Sequence, residues 1–135
     1  MILDTNALSA LAEGERTLAP VLRRAVQVAI PVIVLGEYRY GISRSRNRVH
    51  YEQWLAEYLP TFQILDVDER TTISYSAVRR ELKKAGTPIP SNDVWIAALC
   101  RQHSLPLVSR DHHFDTVSGI IRIGWQKFTS AATSA

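Results

Sequence analysis

Short apolar runs alternate along the chain with stretches in which apolar residues recur every three or four positions. The short runs predict buried strands, and the recurring spacing predicts helices that bury one face. We predict five strands, at residues 1–4, 28–30, 63–67, 106–109 and 120–123. The intervening pattern predicts helices at residues 7–13, 17–26, 31–42, 49–59, 68–85 and 92–102. Such alternation is typical of a three-layer α/β/α domain around a central, mostly parallel sheet of about five strands.

The sequence predicts the buried face and the end of the helix at 68–85, and the first turn of the helix at 31–42. In the helix at 68–85, one apolar stripe should be buried, and its members are Ile73, Ala77, Val78 and Leu82. Gly86 follows it and is a good terminator, because glycine tolerates the left-handed backbone conformation. We expect Pro31 in the first turn of its helix, where the missing N–H costs no hydrogen bond.

Length and composition indicate one compact domain. The 135 residues are 46% hydrophobic and 21% charged, which allows a substantial core and excludes disorder as the main state. We place a single domain at 1–128 and a flexible, low-complexity tail at 129–135. No apolar run approaches the roughly 20 residues that span a bilayer, so no membrane partner is expected. No signal-peptide pattern opens the chain, and the lone Cys100 excludes a disulfide framework, so we expect a cytoplasmic protein.

Two acids occupy helix positions that the pattern predicts to be buried. The residues three and four positions from Glu37 are Ile33, Val34, Tyr40 and Gly41. Asp93 similarly precedes Ile96 and Ala97, which share its helix face. A solvated acid would not favour such a stripe, although a first-turn acid such as Asp93 also suits the helix dipole.

Two further acids follow predicted strands. Asp4 ends the first strand and Asp111 lies just beyond the fourth. In an open α/β sheet, ligands bind in the crevice outside the carboxyl ends of the strands. The alternative for each acid is to cap the following helix. Taken together with Glu37 and Asp93, however, these acids would all project toward one end of the sheet.

Clustered carboxylates raise one another's pKa unless a positive charge joins them. Oxygen ligands without cysteine suit Mg²⁺, or Mn²⁺ in its place, rather than zinc. His112 and His113 would point in different directions in an extended segment, so we expect both to be surface residues rather than ligands, although His113 stays under consideration. No phosphate-binding glycine loop or serine elbow is present, which leaves metal-assisted phosphodiester hydrolysis as the favoured chemistry.

Four motifs in order along the chain resemble those of a PIN domain, and more narrowly those of VapC-type ribonuclease toxins of prokaryotic toxin–antitoxin modules. They are Ile-Leu-Asp-Thr-Asn at 2–6, Gly-Glu-Tyr at 36–38 with Tyr40 and Gly41 after it, Asn-Asp-Val-Trp-Ile-Ala-Ala at 92–98, and Leu-Val-Ser-Arg-Asp-His-His-Phe at 107–114. Each motif alone is weak, but four in register are specific. The resemblance implies a PIN-like fold and a Mg²⁺- or Mn²⁺-dependent endoribonuclease that inhibits translation.

The resemblance also implies roles for individual residues. The catalytic acids would be Asp4, Glu37, Asp93 and Asp111, with the first, third and fourth around the metal and Glu37 holding metal or accepting a proton. The residues that support the site would be Thr5, Asn6 and Ser109. Many relatives carry an acid or amide where this chain has His113; the nearest extra acid, Asp115, is a candidate ligand for a second metal.

Basic residues follow the Glu37 motif and are candidates for RNA binding. They are Arg39, Arg44, Arg46 and Arg48, interleaved with Tyr38, Tyr40 and Tyr51. Cations with aromatic faces suit flexible RNA, whereas the alternative is that the arginines are merely solvated and the tyrosines pack.

The resemblance further implies a homodimer and a partner, a VapB-type antitoxin. The helix at 49–59 is a candidate part of the groove that would receive the antitoxin, and the alternative is that this helix belongs to the ordinary core. A different class of function is a PIN-like module that binds nucleic acid or protein without cleaving it.

Overall fold

The fold is built on a five-stranded parallel sheet. The computed structural model describes residues 1–125, so the predicted domain end at 128 and the tail at 129–135 lie outside the described residues. The strands are β1 (Ile2–Leu3), β2 (Ala29–Pro31), β3 (Gln63–Leu65), β4 (Leu107–Val108) and β5 (Arg122–Ile123). They run in the order β3-β2-β1-β4-β5, and every adjacent pair is parallel. The predicted fold class is therefore confirmed.

Six α-helices connect these strands within the described part of the chain. They are α1 (Thr5–Ala12), α2 (Ala19–Leu22), α3 (Val32–Ser43), α4 (Arg48–Tyr58), α5 (Glu69–Ala85) and α6 (Ser91–His103). Short 3₁₀ turns lie at Leu59–Thr61 and His112–Thr116. Across residues 1–125, none of these helices has the length and apolar character needed to cross a bilayer.

Each face of the sheet carries its own core, because successive residues of a strand point to opposite faces. Ile2 belongs to a buried cluster that α3, α5 and α6 complete with Val34, Val78 and Ile96. Its neighbour Leu3 belongs to a second cluster, which includes Ala7, Leu18 and Trp125. The sheet is thus the middle of three layers.

Helix α5 confirms most of its predicted features and corrects one. Asp68 caps its first turn by accepting from the Thr71 N–H at 3.0 Å, and Gly86 ends the helix at φ 74°. Ile73 was expected on the buried stripe but is 72% exposed. Thr71, Val78 and Leu82 form the buried stripe, and Ile73 lies two positions, or about 200°, from Thr71 around the helix.

Two other boundaries differ from the predictions. The helix predicted at 17–26 is reduced to the single turn of α2, since one turn suffices to pack Leu18 and Val21 on the second core, and Val26 is fully exposed. Pro31 ends β2, opposite Leu65 of β3, instead of lying in the first turn of α3. Its extended backbone, with φ −59° and ψ 141°, suits a strand end that leads directly into the helix.

Candidate active site

Asp4 lies at the centre of the site because β1 is the central strand and Asp4 follows it directly. Its side chain is almost fully buried, with 3% of the residue exposed. Oδ1 accepts from the Ala7 N–H at 2.8 Å, so Asp4 caps α1 as well as lying among the other acids. Burial raises the pKa of Asp4, and the charges of Asp111 and Asp93 raise it further, while the Ser109 hydroxyl and the Ala7 N–H oppose the rise.

The chain after β4 brings Asp111 beside Asp4. β4 is the neighbour of β1, so the two strand ends lie side by side. Ser109 is fully buried, and its hydroxyl accepts from the Asp111 N–H at 3.0 Å. Asn6 Nδ2 lies 3.4 Å from Asp111 Oδ2, at the long limit of a hydrogen bond. Among the described residues, the Asp111 carboxylate makes no capping bond to the 3₁₀ turn that follows, unlike Asp4.

Asp93 reaches the same region from the first turn of α6. Its side chain is 21% exposed, and Oδ2 lies 3.0 Å from Nε2 of His113. Burial raises the pKa of Asp93, as do the charges of Glu37 and Asp111, whereas His113 lowers it. The helix-dipole explanation and the cluster explanation of Asp93 are therefore both consistent with its position.

His113 corrects a sequence-based expectation. Its segment is a 3₁₀ turn and is not extended, and the two adjacent histidines contact different acids, His112 with Asp115 and His113 with Asp93. The His112 side chain is 78% exposed, as expected, but the His113 side chain is 36% exposed and contacts a candidate catalytic acid. The available signal was its position in the fourth motif, two residues after Asp111.

Glu37 enters from α3, where Thr5 holds it. The Thr5 hydroxyl donates to Oε1 at 2.9 Å. The buried stripe of α3 consists of Val34, Tyr38 and Ile42, so the prediction that Glu37 lies on it is wrong. Glu37 instead lines an open depression of about 680 Å³ together with Tyr40, which is 66% exposed.

The four acids thus approach one edge of the sheet, each through its own polar contact. Thr5 holds Glu37, Asn6 approaches Asp111, and His113 approaches Asp93. Within residues 1–125, no three acids, histidines or cysteines are already gathered closely enough to hold a metal ion. The arrangement is therefore a set of neighbouring carboxylates, each of which contacts a polar group of its own.

Asp115 makes different contacts from those of a metal ligand. Its two carboxylate oxygens lie 2.8 and 3.1 Å from nitrogens of Arg122. This pairing lowers the pKa of Asp115, with a smaller contribution from His112. The structure therefore pairs Asp115 with a cation, in contrast to the proposal that it completes a second metal site.

The candidate RNA-binding arginines are exposed, and their tyrosine neighbours divide into two groups. Arg39, Arg44, Arg46 and Arg48 all face solvent. Tyr38 is buried and Tyr51 packs against the core, as the alternative reading of the tyrosines expects. Tyr40 remains exposed, and the Arg44 guanidinium lies 4.9 Å from its ring centre.

A model of the PIN domain matches residues 1–120. The chain belongs to the PIN-domain family. Among relatives of this PIN domain, Ribonuclease VapC2 of Rickettsia felis is 28% identical over 93% of this chain and 98% of its own length. Toxin FitB of Neisseria gonorrhoeae is 31% identical over 82% of this chain and 87% of its own.

Comparison with solved structures leads to the same group of proteins as the sequence comparison. VapBC2 from R. felis, bound to a DNA fragment from its promoter, matches this PIN domain with a TM-score of 0.84 and 27% identity, over 93% of this chain and 98% of that chain. FitAB bound to the IR36 DNA fragment matches with a TM-score of 0.80 and 26% identity, over 95% and 97%. The resemblance to VapC-type toxins predicted from four motifs is confirmed.

Proposed function

We propose that this PIN domain is a divalent-metal-dependent endoribonuclease and the toxin of a VapBC-type toxin–antitoxin module. The observation that carries the proposal is the approach of Asp4 and Asp111, which follow β1 and β4, to Asp93 in the first turn of α6, where the charge of Asp111 raises the pKa of both Asp4 and Asp93. The relatedness to Ribonuclease VapC2 supports the choice of RNA as substrate.

The chemistry of these residues fits Mg²⁺, with Mn²⁺ as a substitute. All four acids offer carboxylate oxygens, which are the ligands that hard divalent cations prefer. Burial and mutual repulsion disfavour the ionised form of Asp4, which a divalent cation would relieve. Asp4, Asp93 and Asp111 would hold the ion, and Glu37 would assist from α3.

The protein's own groups have distinct tasks in this mechanism. A divalent ion, when bound, supplies charge stabilisation at the phosphoryl oxygens and lowers the pKa of water. Thr5 donates to Oε1 of Glu37, which orients the other oxygen to accept a proton from the attacking water. Ser109 positions both Asp4 and the backbone of Asp111, and Arg44 binds the RNA backbone beside the depression.

A cleavage assay tests the proposal. The purified protein should cut RNA with Mg²⁺ or Mn²⁺, and EDTA or the Asp4→Asn substitution should abolish the cutting. Asp66→Asn is the matched control, because Asp66 is an exposed acid outside the site. Cleavage that survives EDTA or Asp4→Asn contradicts the proposal.

Metal binding separates the enzyme from a PIN-like module that only binds nucleic acid or protein. In a calorimetric titration, Mn²⁺ should bind the wild-type protein and not the Asp93→Ala variant. A protein that binds RNA but neither takes up Mn²⁺ nor cleaves belongs to the non-catalytic class.

The module also requires partners. We propose a small VapB-type antitoxin, a homodimeric toxin and a cytoplasmic location, where RNA is accessible. The solved structures of VapBC2 and FitAB, to which this chain is similar, support the antitoxin. Co-expression with the product of the adjacent short reading frame should yield a stable complex without ribonuclease activity. Light scattering of the toxin purified alone should give the mass of a dimer.

A further inference from the structure

A second cavity lies outside the acidic site, between the C-terminal half of α5 and the loop that leads into α6. This α5–α6 cavity encloses about 380 Å³, within the range of roughly 300 to 1,000 Å³ that holds small ligands. Two cations line it, Arg79 and Lys83, at a spacing of four residues that places them on one face of α5. Pro88 and Ile89 form part of its apolar wall, and Ser91 contributes a hydroxyl.

The charge of this cavity is uncompensated in the part of the chain that the structure describes. No acid lines it, and within residues 1–125 neither Arg79 nor Lys83 forms an ion pair. The acid between them in sequence, Glu81, pairs instead with Arg101 at 2.7 Å. Two unpaired cations beside low-dielectric walls attract an anion.

Contacts link the cavity to the helix turn that carries Asp93. Arg79 donates to the hydroxyl of Tyr75, which lies 3.3 Å from the Ser91 hydroxyl. The Tyr75 ring stacks on Trp95, with ring centres 3.8 Å apart and planes inclined by 23°. Ser91, Asp93 and Trp95 all belong to the N-terminal part of α6. A chain of contacts therefore runs from the basic cavity to the element that supplies an acid of the site.

We propose that the α5–α6 cavity binds one nucleotide of the RNA strand that flanks the cleaved bond. Arg79 and Lys83 bind its phosphate, the Ser91 hydroxyl donates to a phosphate oxygen, and Pro88 and Ile89 contact the base. The inference rests on the proposed function for the identity of the strand as RNA. It adds a binding surface on α5 that is separate from the arginines after Glu37.

The test compares two double variants with the same change in charge. Arg79→Ala with Lys83→Ala removes the cavity's cations, whereas Arg80→Ala with Lys84→Ala removes two exposed cations of α5 that do not line it. Binding of a short fluorescein-labelled single-stranded RNA is measured by anisotropy in EDTA, so that no cleavage occurs. Titrations at about 50 and 200 mM salt give the salt dependence.

The cavity variant should weaken RNA binding about tenfold at ~0.1 M salt and flatten the salt slope by about one. The control variant should change affinity less than about twofold, because it removes no phosphate contact. Equal losses in the two variants overturn the inference, since they reflect general surface charge. A change of oligomeric state in the cavity variant alone, measured by sedimentation, also overturns it by making the cavity a subunit contact.

A parallel cleavage assay with Mg²⁺ on the same proteins separates this inference from the proposed function. Wild-type protein that binds RNA through Arg79 and Lys83 but does not cleave with Mg²⁺ contradicts the proposed enzyme and supports the cavity. Wild-type protein that cleaves RNA, with a cavity variant of unchanged affinity, contradicts the cavity and leaves the enzyme intact.

Discussion

Arg122 binds both carboxylate oxygens of Asp115, with Nε 2.8 Å from Oδ1 and Nη2 3.1 Å from Oδ2. The same guanidinium donates to the carbonyl oxygen of Ser109 at 3.0 Å. Arg122 therefore joins the two ends of the segment 109–115, in which Asp111 approaches the other acids. The planar fork of arginine suits such simultaneous contacts, which a lysine ammonium cannot reproduce.

Arg122→Lys should weaken Mn²⁺ affinity about tenfold, as is common when a group that orients metal ligands is changed. The physical reason is that the segment carrying Asp111 loses one of its fixed ends. Calorimetric titration with Mn²⁺ measures the change. Arg101→Lys is the control, because Arg101 pairs with Glu81 and donates to the Ser118 carbonyl oxygen, away from this segment. Equal effects on affinity would show that Arg122 acts only through overall stability.

Asp4→Asn should stabilise the metal-free protein at neutral pH while abolishing activity. Burial raises the pKa of Asp4 in the folded state, so its contribution to stability is complete below about pH 4 and is lost as pH rises through the folded pKa. Asparagine avoids that loss and still caps α1 through the Ala7 N–H.

Thermal unfolding in EDTA between about pH 4 and pH 8 measures the difference in stability between Asp4→Asn and the wild type. The midpoint of Asp4→Asn should exceed that of the wild type at the upper end and approach it at the lower end. Asp66→Asn should show no such pH-dependent difference. A variant less stable than wild type throughout would contradict the assigned direction of the Asp4 pKa.

Thr5→Val should reduce kcat about tenfold with a small effect on KM, because a hydrogen bond to a charged acceptor contributes about 1.5–3 kcal/mol. The substitution keeps the shape of the side chain and removes the donor to Glu37. Steady-state cleavage kinetics measure the two constants. Thr5→Ser retains the hydroxyl and should keep most of the activity; an equal loss in both variants would indicate a packing effect.

Arg44→Ala should weaken RNA binding more than Arg48→Ala, by several-fold at low salt. Arg44 lines the depression that contains Glu37, whereas Arg48 has a carboxylate of Glu52 at 3.8 Å. Anisotropy titrations at several salt concentrations compare the two. Equal losses of RNA affinity would show that both arginines act through the general positive charge of the surface and that Arg44 has no specific contact with RNA at the depression.

How well the sequence predicts a residue's place in the structure differs from one residue to the next. Asp68 and Gly86 are predictable ends of α5, because capping depends on residues close together in the chain. Glu37 shows the limit of this reasoning: of its neighbours at helical spacing, only Val34 is buried, whereas Ile33, Tyr40 and Gly41 line the depression with it. Which face of a helix is buried depends on what packs against it, which local spacing does not specify.

The sequence by itself determined the order of strands and helices and the presence of two acids after strands, Asp4 and Asp111, and two acids on helices, Glu37 and Asp93, because periodicity and side-chain chemistry are local properties. Only the tertiary structure decided that β4 lies beside β1, which brings Asp111 to Asp4. It also decided the polar partners, such as Thr5 with Glu37 across 32 residues and His113 with Asp93. Such pairings arise from sheet order and helix packing, in which distant parts of the chain meet to bury apolar surface.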